Sequence, residues 1–154
     1  MIKVLFVCLG NICRSPMAEG VFKAYVKEKG LEDKFHFESR AISKWEEGRP
    51  VHPKTLEKLT PHQIDLTTKR SKAISELDFL DYDFIIGMDK KNIDFLKQFD
   101  DGAFRNKIHM YNKFKDVKDP YVTGNFEETY QRITKSMDKW IKKFEKTIKE
   151  KQVE

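Results

Sequence analysis

Cysteine is scarce in this chain of 154 residues: there are two, Cys8 and Cys13, both near the N-terminus. Two thiols so close together cannot staple a secreted scaffold, so a reducing cytosol is the expected setting. Long hydrophobic runs are also missing, and nothing approaches the roughly 20 apolar residues that a membrane span needs. The opening stretch, Met1 to Gly10, is apolar but short and has no cationic leader. It reads as a buried strand rather than a signal peptide. There is no repeat, no low-complexity tract and no Gly/Ser linker, so no domain boundary is placed and residues 1–154 are expected to form one domain. The four histidines, His36, His52, His62 and His109, show no ligand spacing, and no metal or other cofactor is expected. No Gly-rich loop ending in Lys-Ser/Thr is present to hold a nucleotide. Arginine is sparse too: only six of the 30 basic residues, in a chain of net charge +5. Carboxylates are interspersed among the lysines, so the excess reads as a solvated surface with a mild pull on anionic substrates. Neither a nucleic acid nor a membrane is an expected partner, and a monomer is expected.

Aromatic residues, by contrast, are plentiful: they make up 12% of the chain, and twelve are Phe. Short apolar runs alternate with helical stretches. Strands are expected at Lys3–Val7, Phe35–Ala41, Tyr82–Met88 and Lys107–Tyr111. Helices are expected at Pro16–Lys29, where Gly30 stops the first, and at Pro53–Leu59, Ser71–Leu77 and Lys90–Gln98. An irregular stretch, Asn112–Asn125, precedes one long amphipathic helix from about Phe126 to Lys149. Its apolar stripe comprises Tyr130, Ile133, Met137, Ile141, Phe144 and Ile148. Strands separated by helices imply right-handed crossovers. The expected fold is α/β in three layers: a four-stranded parallel sheet, order 2-1-3-4, with helices on both faces. In such sheets the binding site lies beyond the carboxyl ends of the strands.

That edge carries Cys8-Leu9-Gly10-Asn11-Ile12-Cys13-Arg14-Ser15-Pro16, between the first strand and the first helix. Gly10 and Asn11 tolerate positive φ, so the loop can curl and turn the amides of Leu9 to Ser15 inward as an anion nest. Ser15 can cap the helix, and Pro16 suits its first turn. The helix N-terminus adds positive potential. Arg14 supplies a planar fork for two oxygens of a tetrahedral anion. Cys8 stands at the mouth of this nest as a candidate nucleophile, and Ser15 is placed to donate to its sulfur. A lone Cys is usually a packed small residue, but the strand-turn-helix context favours a catalytic one.

This loop resembles the phosphate loop of the low-molecular-weight protein tyrosine phosphatases, and the likeness continues through Ala18-Glu19. Looser matches follow at Ser39-Arg40-Ala41, at Tyr82 to Asp89 and at Asp116-Val117-Lys118-Asp119-Pro120-Tyr121. The resemblance implies metal-free hydrolysis of phosphotyrosine and aryl phosphates through a cysteinyl-phosphate. Tyrosine-phosphorylated proteins would be substrates and inorganic phosphate a product. Hydrolysis of an aryl ester needs a proton donor for the leaving oxygen. The resemblance assigns that role to Asp119, with Asp116 as the nearby decoy. It also implies aromatic walls at Trp45 and Tyr121, and a reversible disulfide between Cys13 and the nucleophile. Lys69 stands near where many members carry a His that bonds the loop Asn, so the scaffolding of Asn11 is expected to differ. Arg40, Lys44 and Arg49 suggest a basic rim. Two other readings stay open. One is a thiol-dependent arsenate reductase of similar fold, which would need resolving cysteines beyond Cys13. The other is a non-catalytic phosphotyrosine-binding module.

Overall fold

A computed structural model describes residues 1–153. Four strands form one sheet: β1 (Ile2–Cys8), β2 (Phe35–Ala41), β3 (Phe84–Gly87) and β4 (Ile108–Met110). All neighbours are parallel and the order is β2-β1-β3-β4, as expected. β1 is central. Ile2, Val4, Phe6 and Cys8 belong to one buried cluster, while Leu5 and Val7 belong to another on the opposite face. The alternation follows from the period of two along a strand, and the two-sided burial explains why this run is apolar throughout.

The larger cluster lies under α1 (Arg14–Glu28), α2 (Pro53–Leu59), α6 (Phe126–Lys135) and α7 (Met137–Val153). Six of the twelve Phe lie here. The Phe6 and Phe22 rings lie 4.9 Å apart, and Phe144, fully buried, meets Phe22, Phe35, Phe37 and Phe84. The smaller cluster lies under α3 (Glu76–Asp81) and α4 (Lys90–Gln98), where Phe79, Ile93 and Leu96 meet Leu5, Ile85 and Ile108. Among the described residues, no helix is long and apolar enough to cross a membrane.

Two helices depart from expectation. Of the helix expected at Ser71–Leu77, residues 71–75 are not helical. Ser71 N–H donates to the Arg49 carbonyl, Ala41 N–H to Lys72 and Ile74 N–H to Ala41, so the segment is pinned in extended pairing along the end of β2. The helix begins later, at Glu76, behind a capping box formed by Ser75 and Asp78. The closing helix is likewise two helices, α6 and α7, with a break at Ser136. The Tyr111 hydroxyl donates to the Ile133 carbonyl, which also accepts from Ser136 N–H in the closing turn of α6. The chain then re-enters a helix at Met137, which turns Trp140 into the core with its Nε1–H on the Tyr111 carbonyl at 3.0 Å. Trp140 lies outside the apolar stripe read from the sequence for this reason. Within the irregular stretch, one short helix, α5 (Pro120–Thr123), forms.

His109 of β4 is partly buried beside the Phe84 ring, and burial together with the Lys143 and Lys97 charges pulls its pKa down to about 4. It is neutral in the folded chain and protonates in the unfolded chain below about 6.5, so the unfolded state binds more protons between these values. Stability contributed by this group is present above about pH 6.5 and is lost as pH falls towards 4. Urea unfolding midpoints of His109→Phe should therefore fall less steeply than those of the unaltered protein across that window.

Candidate active site

The loop between β1 and α1 sits beyond the carboxyl ends of the strands. Its outer wall is held by carbonyls. Ile42 N–H donates to Cys8 O, Ser43 N–H to Leu9 O, His52 N–H to Ile12 O and the Ser71 hydroxyl to Gly10 O. With these carbonyls turned out, the amides of Gly10 to Arg14, which bond to no protein acceptor among the described residues, turn to the inside of the curl. Asn11 has φ +57°, the left-handed conformation expected of it. Gly10 does not have positive φ. Its lack of a side chain serves space instead, because a Cβ there would stand 3.1 Å from the Glu46 side chain. The helix starts two residues earlier than expected, with Cys13 as N-cap, so Ser15 lies within the first turn and does not cap it.

Ser15 has another task. Its hydroxyl lies 3.1 Å from Cys8 Sγ, and its amide donates to the same sulfur at 3.4 Å. The direction of the hydroxyl is set from a distance. Glu19 is buried, and its carboxylate can only accept, so Ser39 donates to it at 2.6 Å. Ser39 therefore accepts from Asn11 Nδ2 at 2.9 Å, and the same amide donates to Ser15 Oγ at 2.8 Å. Lys72 N–H donates to Asn11 Oδ1 and fixes the amide's orientation. The Ser15 proton then has two acceptors in reach, the sulfur at 3.1 Å and the Arg40 carbonyl at 3.4 Å, and the shorter contact is the one to the sulfur. Lys69 does not touch Asn11: its ammonium meets Glu19 at 3.0 Å and the Ser39 carbonyl at 3.0 Å. Burial opposes the Glu19 charge, but Lys69, Lys23 and Ser39 outweigh it and hold the carboxyl below the usual range. The scaffolding of Asn11 thus runs through a carboxylate and an ammonium one shell further out.

Arg14 is 2% exposed. Nη1 donates to Asp89 at 2.6 Å and to the Val117 carbonyl at 3.0 Å, while Nη2 lies 3.6 Å from Asp119. Nε is buried and has no protein partner among the described residues. Burial works against this cation, yet Cys8, Asp89 and Asp119 together keep its pKa raised. Asp89 is absent from the residues singled out by sequence. It follows β3 and reads as an N-cap, which it is: Oδ1 accepts from Asn92 N–H at 2.8 Å while Oδ2 holds Arg14. The signal available was its place at the carboxyl edge of the sheet.

Asp119 points its Oδ2 towards Arg14, and its Oδ1 accepts from Tyr121 N–H at 3.0 Å, capping α5. Asp116 turns away and accepts from Lys90 N–H. A pocket of about 220 Å³ is lined by Cys8, Leu9, Gly10, Ile12, Cys13, Arg14, Ser43, Trp45, Glu46, Asp119 and Tyr121. Asn11 and Ser15 stand behind this lining, and Ser43 and Glu46 were not foreseen. Trp45 and Tyr121 are both largely exposed at its mouth, and the His52 ring meets Tyr121 edge-on. The basic rim is not as expected. Arg40 lies on the other face of β2 and pairs with Asp78, and Arg49 is paired with Glu46 at 2.9 Å. Cys13 is buried, and desolvation, with the charges of Cys8 and Asp119, pushes its thiol up to about 12. Among the described residues, no cluster of His, Cys, Asp and Glu could hold a metal ion.

The family model for low molecular weight phosphotyrosine protein phosphatase matches residues 3–153. The chain belongs to this family. It is 41% identical to the Bacillus subtilis low molecular weight protein-tyrosine-phosphatase YfkJ, over 95% of this chain and 97% of the relative. The crystal structure of YfkJ superposes with a TM-score of 0.90 over 96% of each chain. The low molecular weight protein tyrosine phosphatase of Streptococcus pyogenes is 45% identical, with a TM-score of 0.86 over 93% of each chain. A Drosophila arginine phosphatase shares the fold at 29% identity and a TM-score of 0.83, covering 93% of this chain and 98% of its own. The substrate therefore needs an argument beyond the fold.

Asn11→Ala removes the amide that Ser15, Ser39 and Lys72 all use. It should lower unfolding stability by about 1–3 kcal/mol, since it leaves buried groups without partners. It should also reduce kcat for p-nitrophenyl phosphate more than it raises KM, because the sulfur loses a directed donor. Chemical denaturation and steady-state kinetics on the same preparation check both.

Proposed function

We propose that this chain hydrolyses phosphotyrosine in proteins through a cysteinyl-phosphate intermediate. The observation that carries this reading is the Cys8 sulfur at the pocket floor, under two Ser15 donors, with the unpaired edge of Arg14 beside it and Asp119 at the lip. Arg14 Nε and Nη2 and the amides of Gly10 to Arg14 take the three non-bridging oxygens of the ester, while the Ser15 amide stays on the sulfur. Cys8 Sγ attacks phosphorus in line, the S–P bond forms and the P–O bond to the phenol breaks. Asp119 gives its proton to the departing phenolate. It then takes a proton from water, whose oxygen attacks phosphorus. The S–P bond breaks, the electron pair returns to sulfur and inorganic phosphate leaves.

Depth and walls favour a tyrosyl ester. Trp45 and Tyr121 flank the mouth, and a flat ring held between aromatics gains about 0.5–1.5 kcal/mol beyond its buried area. Of the two open readings, a thiol-dependent arsenate reductase lacks a thiol beyond Cys13. A pure binding module has no use for an acid beside the clamp.

Cys13 has a second part in this reading. Peroxide converts the Cys8 thiolate to a sulfenic acid. The Cys13 thiol then displaces its oxygen as water and closes a disulfide, which an added thiol reduces. The high pKa of Cys13 keeps it protonated and leaves Cys8 as the reacting sulfur during turnover.

Asp119→Ala should lower kcat for phosphotyrosine peptides by about 10²–10⁴-fold with little change in KM, and Cys8→Ser should abolish turnover. Tight binding with no turnover by the unaltered protein would favour the binding module, and faster release from phosphoarginine than from phosphotyrosine would reassign the substrate. Cys13→Ser should keep phosphatase activity yet fail to recover it when peroxide treatment is followed by dithiothreitol. Equal recovery in the two proteins would remove the protective role.

A further inference from the structure

β4 is the last strand of the sheet, and among the described residues no fifth strand pairs with its outer side; Ile108 is buried, while His109 and Met110 are half-buried. β4 has three residues, and its outer side floors a groove of about 730 Å³ with α4 along one wall and the start of α7 along the other. Tyr111 N–H donates to the Gly87 carbonyl at 2.8 Å. Strand alternation then turns the amides and carbonyls of Ile108 and Met110 outward, into the groove. No loop or side chain among the described residues hydrogen-bonds to them.

The rim is of one sign. Lys90, Lys97, Lys113, Lys139 and Lys143 line the groove, against one carboxylate, Asp94. None of the five lysines takes part in an ion pair among the described residues, so their charge is available to a ligand. Phe114, 88% exposed, stands at one end. Lysines on an edge repel strands of like charge. A second copy of this chain carries the same rim and is turned away. A nucleic acid would meet the lysines, but the floor offers N–H and C=O groups at two-residue spacing, which match a polypeptide backbone. The rim holds no arginine, and the Trp140 ring is packed against Tyr111 and Phe144.

We propose that this edge is a docking groove for an extended, acidic segment of a partner protein. The segment adds to β4 as a fifth strand while its carboxylates meet the lysine rim. The lining of this groove and that of the Cys8 pocket share no residue, so a docked partner leaves the pocket uncovered. The surface stands independently of the catalytic reading.

The test is fluorescence anisotropy of a labelled decapeptide of alternating Glu and Val with the full chain at low salt. Binding is expected. It should weaken with added salt, and by about tenfold or more in the Lys97→Glu/Lys143→Glu protein, whose turnover of p-nitrophenyl phosphate should be unchanged. The same peptide N-methylated at every second residue should bind at least about tenfold more weakly, because it cannot pair with the edge. That comparison uses the unaltered protein and decides even if the double variant fails to fold. Absence of binding, equal affinity for the N-methylated peptide, or tighter binding of single-stranded oligothymidylate would each overturn the proposal. Turnover of p-nitrophenyl phosphate bears on the Cys8 chemistry alone, so the two readings fail separately.

Discussion

A guanidinium without access to water is the constraint around which this molecule is arranged. Arg14 cannot shed its proton, and burying it unpaired would cost several kcal/mol. The fold answers with Asp89 after β3, with the Val117 carbonyl and Asp119 after β4, and with the Cys8 sulfur at the end of β1. Three of the four strands thus deliver a compensating group to one point. The sheet order makes this convergence available, because β1 lies between β2 and β3 and its exit is surrounded. The same demand leaves the Nε of the guanidinium without a protein partner among the described residues, in a residue that lines the pocket.

The second tier is a relay of hydrogen-bond direction. A buried carboxylate accepts and cannot donate, so the placement of Glu19 decides which way Ser39, Asn11 and Ser15 point. One acidic residue, remote from phosphorus, thereby orients the hydroxyl that faces the sulfur. Lys69 and Lys23 keep that residue charged, which preserves the polarity of the chain.

The central strand, the first helix and the phosphate loop were legible in the sequence because local chemistry and tertiary position agree there. Phe35–Ala41, Pro53–Leu59 and Lys90–Gln98 form as read, since their periodicity or caps leave one solution. The misreadings share a cause. Ser71–Leu77 has helical spacing, but its residues 71–75 are captured by the backbone of Arg49 and Ala41, residues far away in sequence. The closing helix breaks where one tyrosine hydroxyl takes a carbonyl, a contact that no periodicity encodes. In the site, Cys8, Arg14 and Asp119 come together as read, while Asp89 was hidden behind its capping role. The expected basic rim failed because strand alternation sends Arg40 to the opposite face and Glu46 neutralises Arg49.

Asp119 is tied more firmly to its own turn than to the clamp. One of its oxygens caps α5 through the Tyr121 amide, while the other only approaches Arg14. Under the role proposed above for Asp119, the proton donor and one aromatic wall sit within the same short turn, so an ester that carries a ring would meet both while a small alkyl phosphate would leave Tyr121 untouched. Discrimination between the two would then reside in the rate of bond cleavage rather than in how firmly the anion is gripped.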